Sequence, residues 1–203
     1  MARLQREARR AQLLELGLQV FADTPFDAVS VEDVAQRAGI SKGLLFHYFG
    51  SKRGYYVATV QAAASALLEI TRLPDDEPME GAVTRILYGF HRFLEPPEQA
   101  ALFRALMRGG VGNDPEVFAI VEGARRQLVA RLARRFGVAE LAPGVRTRLH
   151  AWIGACEAAA IDLCEHRDLD ADAFVALLVD ALVGLLAGTG VLEAVPPAGD
   201  GAA

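Results

Sequence analysis

The side chains with the most specific chemistry lie in residues 30–52, SVEDVAQRAGISKGLLFHYFGSK. Lys42 and Lys52 are the only lysines in the chain. An ammonium group can donate to guanine O6 and N7 in the major groove, or neutralise a phosphate of the backbone. Ser30 and Ser41 suit the N-cap position, and the free N–H groups of a helix N-terminus bind phosphates well. These residue types predict contact with a nucleic acid.

Two short helices and a turn must position these side chains. Ser30 is a good N-cap for the first of them, with Asp33 at the capping-box position. That helix should end near Ala38, because Gly39 can take the left-handed conformation that the turn needs. Ser41 should then cap the next helix. The spacing predicts a helix-turn-helix, the motif that places its second helix in the major groove.

The apolar spacing predicts which sides of these helices are buried. A preceding helix over about residues 6–22 offers an apolar face, and the two short helices offer matching faces to it. The predicted small core contains Leu13, Gly17, Val20, Phe21, Val31, Val34, Ala35, Ile40, Leu45, Tyr48 and Phe49. The outer side of the second short helix then carries Lys42, Gly43, Leu44, Phe46 and His47, which would face base edges. For Phe46 and Tyr48, packing against the core is an equally good interpretation.

Charge is distributed unevenly along the 203 residues. The net charge of −5 argues against a protein that coats nucleic acid indiscriminately. Residues 1–53 have a balance of +2 and the remainder a balance of −7. A mildly basic N-terminal part on an acidic body suits a local DNA contact surface.

Other sequence features indicate a cytoplasmic protein with no membrane span. Cys156 and Cys164 are eight residues apart on a predicted helix, about 12 Å along its axis, so they should not form a disulfide. That fits a reducing compartment. Residues 173–192 are almost wholly apolar, with Asp180 as their one ionisable group. A charge at mid-span and an early Gly-Thr-Gly break favour a helix buried between other helices.

The rest of the chain shows helical periodicity and no convincing strand. We expect an all-α protein of about nine helices: a helix-turn-helix DNA-binding domain over residues 1–53, a helical ligand-binding and dimerisation domain over 54–192, and a disordered tail over 193–203. One predicted helix covers about 99–107. The next should be capped by Asn113 or Asp114, with an apolar face that includes Phe118, Val121 and Leu132.

The C-terminal domain offers an apolar set with a few polar groups, which is the usual lining of a small-molecule site. The candidate ligand-binding residues are Phe90, His91, Phe103, Met107, Phe118, Arg125, Trp152, Cys156 and Glu157. The aromatic members and Met107 are most economically explained as core residues, a part of which could line a cavity. Arg125 and Glu157 each lie on an apolar stripe, so they could pair in the interior, orient a charged ligand, reach the surface, or form an ion pair at an interface. The histidines and cysteines lack metal-ligand spacing, and we expect neither a metal nor a cofactor.

The run AGISKGLLFHYFGSK, after Ser-Val-Glu-Asp-Val-Ala and an amphipathic first helix, resembles the DNA-binding domain of the TetR family over residues 8–60. The resemblance implies an all-helical homodimer, with the last two helices as its interface and a small-molecule pocket. Positions that match those commonly touching DNA are Ser30, Lys42, Gly43, Phe46, His47, Tyr48 and Lys52. Leu44 and Phe46 depart from the family, because each lacks a hydroxyl that is frequent at its position. Base preference therefore does not carry over.

These features predict a transcriptional regulator rather than an enzyme, most simply a repressor. It would bind double-stranded palindromic operator DNA and leave it when a small-molecule effector binds. The alternative is a helical small-molecule-binding protein or enzyme with a vestigial helix-turn-helix. That alternative predicts no salt-sensitive duplex binding and a turnover that depends on His91 or Glu157.

Overall fold

The computed structural model describes residues 2–72, 79–97, 99–100, 103, 107, 114–136 and 140–192, and these form an all-helical protein. Eight α-helices and one 3₁₀ turn, with no strand, lie in these ranges. They are α1 (Ala2–Asp23), the 3₁₀ turn (Phe26–Ala28), α2 (Val31–Arg37), α3 (Lys42–Phe49), α4 (Lys52–Ile70), α5 (Met79–Leu94), α6 (Pro115–Arg135), α7 (Pro143–His166) and α8 (Ala171–Leu186). The all-α prediction is confirmed. The helix predicted over 99–107 falls largely outside the described residues, as does the predicted tail over 193–203.

Helix starts follow the predicted caps. The side-chain oxygen of Ser30 accepts from Asp33 N at 3.2 Å, and that of Ser41 accepts from Leu44 N at 3.1 Å. Asp114 accepts from Glu116 N at 2.9 Å, directly before Pro115. Each cap satisfies a backbone N–H that the first helical turn leaves without a partner. Only the start of α1 differs much from expectation, because it begins at Ala2 rather than near residue 6.

Two compact units make up the chain. The first contains residues 1–66 and 95–121, and the second contains residues 67–94 and 122–203. The bounds of α4 and α6 cross from one unit into the other, so each of these helices contributes to both. The predicted functional boundary at residue 53 remains a prediction.

The core of the first unit joins α1, α2, α3 and the start of α4. Its buried members are Leu13, Val20, Phe21, Val29, Val31, Val34, Leu45 and Tyr55. Gly17 lets α1 approach α4, because a Cβ there would lie 2.5 Å from Thr59 Oγ1 and 2.8 Å from the Tyr55 hydroxyl. That hydroxyl donates to the carbonyl oxygen of Leu13 at 2.5 Å. The predicted packing of the helix-turn-helix against α1 is confirmed.

The prediction that Phe118 lies on the buried face of α6 is wrong. Phe118 is 51% exposed, whereas Val117 is fully buried and packs with Val60 and Val121. Residues 117 and 121 are one helical turn apart, so they present a single stripe to α4. Because Val117 and Val121 form the buried stripe, Phe118 points toward solvent.

The second unit packs α5, α7 and α8 around a core rich in aromatic residues. Trp152 of α7 is 2% exposed, and its indole Nε1 donates to the Leu178 carbonyl oxygen of α8 at 2.7 Å. The side chain of Phe174 is fully buried against Phe90 of α5. Cys156 and Cys164 are buried free thiols. In the described part of the chain, no helix is both long enough and apolar enough to cross a membrane.

Candidate nucleic-acid interface

The turn between α2 and α3 fixes the direction of α3. Gly39 has a φ of 64°, in the region that favours glycine, as predicted. The backbone N–H of Gly39 donates to Gln36 O, and that of Ile40 donates to Ala35 O, each at 3.0 Å. Arg9 of α1 donates to the Ala38 carbonyl oxygen at 2.8 Å. The N–H groups of Gly39 and Ile40 are therefore satisfied locally, and the Ala38 carbonyl oxygen is satisfied by α1.

Helix α3 presents one face to solvent and the other to the core. Leu45 is 1% exposed and Leu44 is 40% exposed, although they are adjacent. Lys42, Gly43 and His47 are also exposed. Four of the five residues predicted for the outer side of the helix are therefore exposed, and the fifth, Phe46, is half-buried. A face of this length at a helix N-terminus has the size and shape that enter a major groove.

Phe46 and Tyr48 are the two residues for which the sequence left packing or DNA contact open. Both are half-buried and pack against the core of the first unit. The Lys42 ammonium lies 5.5 Å from the centroid of the Phe46 ring, and the Arg6 guanidinium lies 5.9 Å from that of Tyr48. Packing accounts for much of both side chains, and their DNA contacts stay a prediction.

Lys42 forms an ion pair with Glu32 that the spacing of the sequence does not indicate. Its ammonium lies 2.5 Å from Glu32 Oε1, and the two side chains are 49% and 64% exposed. The hydrogen bond from Lys42 holds the pKa of Glu32 below its ordinary value. Glu32 belongs to α2, so the pair bridges the two helices of the motif. A DNA contact by Lys42 must therefore replace this contact or share the ammonium with it.

Lys52 is also engaged within the chain. Its ammonium donates to the Asp27 carbonyl oxygen at 3.1 Å and lies 4.8 Å from the centroid of the Phe26 ring. Both partners belong to the 3₁₀ turn that follows α1. The lysine is thereby held at the N-terminus of α4. A partly immobilised ammonium has less conformational entropy to lose when it meets a phosphate.

Arg53, the next residue, is used inside the first unit. It donates to both carboxylate oxygens of Asp114, at 2.7 and 2.8 Å, and lies 3.0 Å from Glu116. The guanidinium holds the pKa of Asp114 below its ordinary value. This bidentate geometry fixes Asp114 at the start of α6. Arg53 therefore contributes little positive charge to a DNA-facing surface.

The predicted ligand-binding residues divide between the two units. Phe103, Met107 and Phe118 belong to the first, and Phe90, His91, Arg125, Trp152, Cys156 and Glu157 belong to the second. Phe90, Phe103, Trp152 and Cys156 are buried, and the His91 ring centroid lies 5.5 Å from that of Phe174. Burial raises the pKa of the Cys156 thiol to about 12. With this raised pKa the Cys156 thiol stays protonated and unreactive at neutral pH, as is usual for a cysteine in an apolar core.

Arg125 and Glu157 meet in the second unit, as one of the predicted alternatives had it. Arg125 Nε lies 2.9 Å from Glu157 Oε1, and Nη2 lies 2.7 Å from Oε2. Glu122, one turn earlier on α6, contacts the third guanidinium nitrogen. The hydrogen bonds to Glu157, which has the larger effect, and to Glu122 raise the pKa of Arg125. The three side chains are 19–25% exposed, which leaves them partly open to solvent. Their role toward a ligand stays a prediction.

No group of three histidine, cysteine, aspartate or glutamate side chains in the described ranges could hold a metal ion.

Comparison with known sequences identifies the relatives of both parts of the chain. Residues 13–65 match the family described as "Bacterial regulatory proteins, tetR family", and residues 79–185 match "Tetracyclin repressor-like, C-terminal domain". The transcriptional activator FasR of Mycolicibacterium smegmatis is 31% identical over 124 residues, which are 60% of this chain and 56% of FasR. The regulator BetI of Paraburkholderia phytofirmans is 41% identical over 66 residues, 32% of this chain and 34% of BetI. The chain thus aligns with about half of FasR and a third of BetI.

Solved structures include whole-chain neighbours. A tetR-family transcriptional regulator from Streptomyces coelicolor superposes with a TM-score of 0.80 at 27% identity. The superposition covers 93% of this chain and 87% of that protein. The named relatives regulate transcription.

Proposed function

Because this chain belongs to the tetR family of bacterial regulatory proteins, we propose that it regulates transcription by binding operator DNA as a homodimer. Residues 1–53 would bind DNA, and residues 54–192 would bind an effector and form the dimer through α7 and α8. Two copies of α3 would enter successive major grooves of a near-palindromic operator, about 34–36 Å apart. The protein would act in the cytoplasm as a repressor.

The observation that carries this proposal is the two-sided packing of α3. Leu45 anchors the helix in the core while Lys42, Gly43, Leu44 and His47 stay on its outer face. A helix held this way can enter a groove without unfolding any of the core. Leu44 brings an apolar side chain that can pack on a thymine methyl.

Effector control is the second part of the proposal. The effector would bind within the C-terminal domain and must prefer the conformation that does not fit the operator, since equal affinity for two states shifts neither. Helix α4 starts at Lys52, beside the helix-turn-helix in sequence, and ends at Ile70 in the second unit. It is the element best placed to carry the change. DNA release that is unchanged in Arg125→Ala would remove Arg125 from this mechanism.

The test requires a duplex first. A random-sequence duplex library selected with the wild-type protein supplies a bound sequence, and its scrambled version supplies the non-specific reference. Lys42→Ala should lose more affinity for the selected duplex than for the scrambled one, by about 1–3 kcal/mol if Lys42 reads a base edge. Lys52→Ala should weaken both duplexes equally and make the salt dependence shallower by about 0.9 per subunit.

Arg126→Ala is the matched control, because it removes one exposed positive charge from α6. It should leave the affinity and the salt dependence close to wild type. Full affinity for the selected duplex in both lysine variants at matched salt would contradict the proposed docking.

A further inference from the structure

The positive charge of the N-terminal part does not come from the helix-turn-helix. Residues 1–12 contain four arginines and one glutamate, a balance of +3. Residues 13–53 contain four basic and five acidic residues, a balance of −1. The first three turns of α1 therefore supply the whole excess that could attract a phosphate backbone.

Two of these arginines lie beside the recognition helix. The Arg6 guanidinium carbon is 5.9 Å from the centroid of the Tyr48 ring, and that of Arg10 is 5.4 Å from the centroid of the Phe49 ring. Tyr48 and Phe49 are the last two residues of α3. Because Arg6 and Arg10 are one turn apart, they share a face of α1. Stacking on an aromatic face limits where each guanidinium can go.

The other two arginines have partners inside the chain. Arg3 pairs with Glu7 at 3.0 Å, and Arg9 donates to Ala38 O and to Gln12. Arg6 and Arg10 are exposed, and over the described part of the chain neither forms an ion pair with a carboxylate. Their charges remain open to a ligand.

We propose that Arg6 and Arg10 form a second DNA-contact surface that binds backbone phosphates beside the groove occupied by α3. The two guanidinium carbons lie 5.9 and 5.4 Å from the ring centroids of Tyr48 and Phe49, in the last turn of α3. The major groove that α3 would occupy is about 12 Å wide and bordered by phosphates, so cations beside α3 are placed toward that border. Arginine matches a phosphate with two parallel N–H donors. Such contacts set register and affinity and carry no base information. The inference rests on the proposed function.

The experiment measures affinity against salt concentration for Arg6→Gln/Arg10→Gln, on the selected and the scrambled duplex. Two lost phosphate contacts per subunit should make the slope of log K against log salt shallower by about 1.8 per subunit, and by about 3.6 for a bound dimer. The affinity should fall by the same factor on both duplexes, since phosphates are present on both. Each single variant should show half the change in slope.

Two controls separate this role from others. Arg126→Gln/Arg134→Gln removes the same charge from two exposed positions on α6, and should leave the slope near that of wild type. Arg6→Lys/Arg10→Lys keeps the charge and should retain most of the slope.

If the wild-type protein prefers the selected duplex, any one of three results in the variants would overturn the inference. The first is a slope in Arg6→Gln/Arg10→Gln equal to that of the Arg126→Gln/Arg134→Gln control. The second is an unchanged slope with lost discrimination between the duplexes, because the arginines would then only position Tyr48 and Phe49. The third is a salt dependence that becomes equally shallow in Arg6→Lys/Arg10→Lys and in Arg6→Gln/Arg10→Gln, because the first variant keeps the charge. Wild-type protein that binds no duplex would refute the proposed function as well.

Discussion

Replacing Arg125 by methionine removes the cation that Glu157 of α7 and Glu122 of α6 share. Arg125 meets Glu157 through two parallel hydrogen bonds of 2.9 and 2.7 Å and meets Glu122 through one. Methionine fills a similar volume, so the main change is electrostatic. The variant leaves two neighbouring carboxylates partly buried, without a counter-charge between them.

The burial of the three side chains determines how much Arg125→Met should lower the free energy of unfolding. An exposed ion pair contributes about 0–1 kcal/mol, and breaking a fully buried one costs about 3–5 kcal/mol. At 19–25% exposure, water still screens this cluster, so Arg125→Met should lower the free energy of unfolding by about 2 kcal/mol. Glu122→Gln should cost about 0.5 kcal/mol, because it removes a pair within one helix. Glu157→Gln should fall between these two.

Urea denaturation followed by far-UV circular dichroism measures these differences. One protein concentration must be used throughout, since association couples stability to concentration. The double variant Arg125→Met/Glu157→Gln completes a thermodynamic cycle, and we expect a coupling free energy of about 1–2 kcal/mol. A coupling within about 0.5 kcal/mol of zero would refute the argument, as would a Glu122→Gln variant as unstable as Glu157→Gln.

Two further predictions concern ion pairs of the first unit. Glu32→Gln should raise affinity for both the selected and the scrambled duplex, because it frees Lys42 and removes a negative charge from the docking face. The same substitution in a Lys42→Ala background tests the first cause. A gain in affinity that persists unchanged there would show that the effect does not act through Lys42. Asp114→Asn keeps an N-cap acceptor but loses the charge that faces Arg53, so it should be less stable than wild type at pH 7 in urea denaturation. Since the pKa of Asp114 is lowered in the folded state, the charged carboxylate stabilises the fold above its ordinary pKa of 3.8, and this contribution is lost as pH falls through the lowered pKa. A difference between Asp114→Asn and wild type that stays constant through that pH range would count against the ion pair.

Local rules predicted the helix-turn-helix well because its determinants are local. Ser30 and Ser41 cap the helices they were expected to cap, and Gly39 takes the conformation that its turn needs. Each of these depends on residues within about one helical turn of its own position. The buried face of α3 follows from helical spacing and not from residue type, because Leu44 and Leu45 are the same type yet 40% and 1% exposed.

Contacts between distant residues were harder to predict. Nothing in the spacing indicates that Lys42 meets Glu32, or that Lys52 donates to Asp27. The first contact depends on how α2 and α3 pack, and the second on how the 3₁₀ turn and α4 pack. Phe118 was placed on the wrong face because its helix contributes to two units. A single periodic stripe over Pro115–Arg135 averages two sets of packing partners. Val117 and Val121 determine the face of the first two turns.

The contacts of the cations suggest a division of labour on DNA. Lys42 and Lys52 already have oxygen partners in the free chain, so a DNA contact by either must replace that contact or share the ammonium with it. The net effect of both lysines on affinity is reduced by that exchange, whereas the effect of Lys42 on discrimination between base sequences is not. Arg6 and Arg10 give up no described carboxylate when they meet a phosphate. The arginines of α1 should therefore dominate the salt dependence of binding, while the lysine at the head of α3 acts mainly on base preference.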